Sequence, residues 1–159
     1  MNPEILDQCE NFGDVFELVK KSVEQTLKLR RGGLMLYLAD LTPSIGALHG
    51  LGSNGIVVNR IVLNAVTGLT KSRRELNSFI YSILLHEYLH SLGYVDEFKV
   101  RQLAVKIARE TFGEGHPTAK MAANPMGFFP NLIYTESPLT EGNLTLIKDF
   151  DRGSQRYYI

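Results

Sequence analysis

The stretch from Ser72 to Gly93 constrains this chain more than any other segment. Ser72-Arg73-Arg74-Glu75 has the S-x-x-E form of a capping box, in which the serine hydroxyl takes an otherwise orphaned backbone N–H, so a helix starts there. Leu76, Phe79, Ile80, Ile83, Leu84, Leu85, Leu89 and Leu92 then cover most of a helical surface. A helix that is apolar over so wide an arc has to be buried on most sides, and the rest of the chain must be arranged around it. Gly93 supplies the stop, because glycine takes the left-handed C-terminal conformation without strain.

The last turns of this helix carry His86-Glu87-Tyr88-Leu89-His90, an H-E-x-x-H sequence. Residues four apart lie on one helical face about 6 Å apart, so both imidazoles can give a nitrogen to one metal ion. Zn²⁺ suits them, since it accepts neutral nitrogen ligands in a tetrahedral arrangement. Glu87 is next round the helix, close enough to take a proton from a water on that ion without replacing it as a ligand. With 4 His in 159 residues, shuffling would produce the pattern only about 0.005 times per chain. One zinc ion held by His86 and His90, with Glu87 as general base, is the expectation.

Two histidines leave zinc one protein ligand short of the usual catalytic three. Ser91-Leu92-Gly93-Tyr94-Val95-Asp96 extends the motif to H-E-x-x-H-x-x-G-x-x-D. Over residues 86–96 this resembles the metzincin clan of zinc metallopeptidases, whose pattern ends in His and in some members in Asp. The resemblance implies His86, His90 and Asp96 as ligands, Glu87 as base, and Gly93 as the turn that brings the chain under the metal. Asp96 also stands where a helix N-cap is expected, because residues 96–112 read as a second amphipathic helix. Glu97 is also within reach, and Asp96 is the preferred third ligand. Glu110 has a spacing similar to that of the gluzincins, but sits about 20 Å along the second helix, and His116 lies beyond it. Met121 and Met126 resemble the methionine of the metzincin turn, though a loop methionine is more often a core filler. Tyr88, Tyr94, Tyr134 and His116 are candidate donors to a developing oxyanion, and His49 sits in a glycine-rich loop that can fold over a cleft.

Around the motif helix the chain reads as one domain, 1–159. A first helix begins at Asp14–Glu17 and ends at Arg30-Arg31-Gly32. Leu34–Ala39 reads as a strand, Thr42–Asn54 as a loop, and the β-branched segment Gly55–Asn64 as one or two strands. Residues 113–137 look loop-like, with a small strand or tail expected at Leu144–Ile147 and Tyr157–Ile159. This order gives an α+β fold, a small mixed sheet packed against the central metal-binding helix. Zincin peptidases share that plan, and the resemblance implies an edge strand along the cleft, with Asn54–Asn64 as candidate, onto which a peptide adds.

Lys plus Arg equals Asp plus Glu at 17 each, so there is no net pull toward nucleic acid or membrane. No apolar run approaches the ~20 residues of a membrane span, and the first residues lack a basic segment followed by an apolar run. A soluble cytoplasmic protein is therefore expected. The lone Cys9 cannot form an internal disulfide. The leading expectation is a zinc-dependent peptidase acting on a peptide or protein substrate. Residues 86–96 are also similar to the bacterial endoribonucleases that mature ribosomal RNA, but Glu87 stands where that family has Gly. A non-catalytic, zinc-stabilised interaction domain is the third possibility.

Overall fold

A computed structural model of the chain describes residues 1–50, 52–129 and 144–152. The widely apolar stretch is a 19-residue helix, α3 (Arg73–Ser91), and the other elements enclose it. Ser72 caps it as expected, its hydroxyl accepting from Glu75 N–H at 3.1 Å. Its C-terminus closes on Gly93, at φ +105°. Gly93 N–H donates to His90 O and Tyr94 N–H to Leu89 O, the paired bonds of a Schellman motif.

Helices α1 (Phe12–Leu27), α4 (Glu97–Phe112) and α5 (Pro117–Ala123) pack on α3. Among the described residues the sheet has four strands, in the order β2 (Ala47–His49), β3 (Gly55–Asn59), β1 (Met35–Ala39), β4 (Thr145–Ile147). β1 and β3 are parallel, and the outer strands are each antiparallel to their neighbour, so the sheet is mixed. Leu36, Ile56 and Val58 turn inward into the same core as Phe79, Leu84, Leu85 and Leu89 of α3. The α+β class and small mixed sheet agree with the sequence reading. Among the described residues, no helix is long and apolar enough to cross a membrane.

Several local readings need correction. The β-branched run 55–64 is a strand only to Asn59, and α2 (Arg60–Leu69) follows directly. Asn59 is the switch: its Oδ1 accepts from Ile61 N–H at 3.1 Å and caps α2, while Val62 and Val66, four apart, are buried at helical spacing. The segment Asn54–Asn64 is therefore not the sheet edge; β3 is an inner strand. The edge beside α3 is β2, which lies inside the segment read as a loop. α1 ends at Leu27 with Lys28 itself left-handed (φ 58°), short of Gly32. α5, inside a segment read as loop, begins with Pro117 at its first turn, where proline's missing N–H costs nothing. The possible strand or tail at Tyr157–Ile159 lies outside the described residues.

Buried polar side chains fix these elements against each other. Lys20, fully buried on α1, pairs with Asp151 at 2.5 Å, and the other Asp151 oxygen accepts from Leu34 N–H. This ties α1 to the segments before β1 and after β4. Asn59, also fully buried, donates from Nδ2 to the carbonyls of Thr42 and Ile45 and accepts from Leu41 N–H. It holds the β1–β2 connection over the inner strand. Asn59→Ala strands those carbonyls and removes the α2 cap, so we expect a loss of about 3 kcal/mol in urea denaturation. A loss below about 1 kcal/mol would show that the connection is not held this way.

Candidate metal centre

His86 and His90 point together off the C-terminal turns of α3, with ring centroids 4.9 Å apart. Their Nε2 atoms are 3.2 Å apart. Ligand atoms about 2.1 Å from a tetrahedral zinc are themselves about 3.4 Å apart, so the two nitrogens already have the spacing of a shared ion. Burial pushes the His86 imidazole below its usual range, against the pull of Glu97, which favours the neutral ring a metal needs. His90 is oriented by the helix stop: its Nδ1–H donates to Tyr94 O at 2.7 Å, which turns Nε2 toward His86 and Glu97. The Schellman turn at Gly93 thus sets both the helix end and the tautomer of His90.

The carboxylate brought to these imidazoles belongs to Glu97, not Asp96. Glu97 oxygens lie 3.0 Å from His86 Nε2 and 2.6 Å from His90 Nε2, and the three residues form a group able to hold a metal. Partial burial works to raise the Glu97 carboxyl, but the two imidazoles outweigh it and hold it below its usual value. Asp96 is the N-cap of α4, its Oδ1 accepting from Phe98 N–H at 2.9 Å. The physical reason is reach: the shorter side chain closes back on its own helix, while the longer one, at the first helical position, spans to α3.

The other candidate ligands are elsewhere. Glu110 accepts from Thr26 at 3.1 Å on the α1 side of α4. His116 caps α5 and stacks on Phe112, near Asp7 and Arg74 at the opposite end of α3. Tyr88 is fully buried with its hydroxyl on the backbone of Arg31, so it does not face the site. Tyr94 serves through its carbonyl, and Tyr134 lies outside the described residues. Met121 is buried in the core, whereas Met126 lines a cavity with His86 and Glu87. Cys9 is buried, and burial pushes its thiol up to about 11.

Glu87 is 7% exposed and lies between two cavities of about 270 and 260 Å3 that share Ala47, Glu87 and Glu97. Burial pushes its carboxyl up to about 7. β2 runs along both cavities. Gly46 turns its carbonyl inward to Asn59 N–H, so in antiparallel alternation Ala47 and His49 turn their N–H and C=O outward to the cleft. His49 therefore sits in a strand, not a loop; Nε2–H donates to Ser53 O, and its buried Nδ1 has no hydrogen-bond partner among the described residues. Arg101, which lines the cavity of about 270 Å3, was missed in the sequence. The available signal was its position four residues after Glu97 on one helix, which places both on the same face. No known family model, curated protein sequence or solved structure matches this chain.

Zinc stoichiometry tests the ligand set. His86→Ala, His90→Ala and Glu97→Ala should each lose bound zinc after gel filtration, while Asp96→Asn, which keeps the cap, should retain one ion per chain. Zinc lost with Asp96→Asn but kept with Glu97→Ala would reverse the assignment.

Proposed function

We propose that this protein is a zinc-dependent peptidase of zincin type, in which His86, His90 and Glu97 hold the metal and Glu87 is the general base. The observation that carries this reading is a buried carboxylate next to a pair of convergent imidazoles, facing a cleft bordered by a strand edge that is unpaired among the described residues. When bound, the ion would polarise a carbonyl and make a water more acidic, worth several kcal/mol at the transition state.

The chain's own groups supply the rest. Outward N–H and C=O groups of Ala47 and His49 can pair with an extended peptide, holding one of its carbonyls over the cluster. Glu87 takes a proton from the attacking water as the new C–O bond forms, and returns it to the leaving nitrogen as the C–N bond breaks. Its burial suits both steps, since a carboxyl near the working pH can accept and release a proton. Glu97 is kept ionised by the same imidazoles it would join around a metal. The two carboxylates therefore have separate tasks set by their surroundings.

Glu87→Gln preserves shape and removes the base. The zinc-loaded variant should keep its ion and lose about a hundredfold or more in the release of new amino groups from unfolded casein. Activity retained by the variant would remove Glu87 from the mechanism. Cleavage of structured RNA with casein left intact would replace the peptidase reading by the nuclease one.

A further inference from the structure

The cavity of about 270 Å3 beside His86 and Glu87 carries a cation whose charge the His–Glu cluster does not use. Arg101 lines it together with His86, Glu87 and Glu97, and the same side chain also borders a wider cavity along α4. Among the described residues no carboxylate is paired with Arg101; the nearest on its own helical face, Glu97, is engaged by the two imidazoles. Asn124 also lines the cavity beside His86, and its Oδ1 accepts from Gly127 N–H, which leaves its amide N–H groups as donors. Gly46 passes so close to Met126 that a Cβ there would lie 2.9 Å from the sulfur, so the strand edge and the turn after α5 meet. At about 270 Å3 the cavity falls below the usual 300–1,000 Å3 of ligand clefts, and it suits a short chain end rather than a long one.

Strand polarity says which chain end arrives. β2 runs from Ala47, at the Arg101 cavity, to His49, which lines only the other cavity. Antiparallel addition is the commoner pairing, and β2 already pairs that way with β3. A peptide laid antiparallel on the outer edge enters past His49 and points its C-terminus into the Arg101 cavity. A guanidinium there matches a carboxylate with two parallel N–H···O bonds, a fit that an amide or an internal peptide group cannot reproduce.

We propose that Arg101 is the specificity-determining anchor for a free C-terminal carboxylate, making the protein a carboxypeptidase-type enzyme that trims short C-terminal fragments. This rests on the peptidase reading, but the subsite can be tested without turnover. Two peptides of one sequence, ending in a free acid or in an amide, are titrated against zinc-loaded Glu87→Gln protein by fluorescence anisotropy. The free acid should bind at least tenfold tighter. Adding Arg101→Gln should abolish that difference with zinc content unchanged, and Arg101→Lys should restore part of it. In turnover by the otherwise unaltered enzyme, Arg101→Gln should raise KM for the free-acid peptide about tenfold and leave the amide unaffected. Equal binding of acid and amide, or a preference that survives Arg101→Gln or depends on a free amino terminus, would overturn the proposal. A carboxylate preference without hydrolysis would keep the subsite and refute the peptidase reading.

Discussion

Burial of α3 on nearly all sides is the constraint from which the site follows. Tyr81, Leu84, Leu85, Tyr88 and Leu89 are wholly enclosed, so rotation of the helix about its axis would expose large apolar area or bury charge, each costing several kcal/mol. Polar pins set the angle further. Asn77 donates to the carbonyls of Leu6 and Cys9, the Tyr81 and Ser22 hydroxyls meet at 2.6 Å, and Arg31 N–H donates to the Tyr88 hydroxyl. With the helix fixed in azimuth by α1 and the N-terminal turn, the two histidines have one direction left, toward the cleft under β2.

Two kinds of structure meet at the candidate metal centre. The half made of His86, His90 and Glu97 is local: within the twelve residues 86–97, the glycine stop, the Tyr94 carbonyl, the Asp96 cap and the first residue of α4 place all three side chains. The half that holds Glu87 is long-range, because its burial depends on a strand forty residues earlier and on the turn after α5. One carboxyl is raised by burial and the other is lowered by its imidazole neighbours, so the fold gives two adjacent carboxyls opposite proton affinities without any difference in chemical type.

What was readable in the sequence divides along the same line. The capped helix, its glycine stop and the paired histidines depend on spacing within one element, and they stand where the sequence puts them. Asp96 against Glu97 was not readable, because adjacent carboxylates with one methylene of difference in reach are told apart only by the angle between α3 and α4. β2 has three residues, Ala-Leu-His, and no alternation to show it; its place comes from β3. The run after Gly55 misleads because Ile61, Val62 and Val66 favour strands as isolated residues, while burial at helical spacing and the Asn59 cap decide otherwise. Arg101 carries no motif at all, and only the cavity gives it meaning.

The central claim, one divalent ion gripped by α3 and the first turn of α4, is tested most directly by anomalous diffraction at the zinc edge from crystals of the zinc-loaded chain. The account predicts a single strong peak about 2.0–2.2 Å from His86 Nε2, His90 Nε2 and a Glu97 oxygen, with Asp96 still capping α4. A peak elsewhere, or zinc-soaked crystals with none between the two imidazoles, would contradict it.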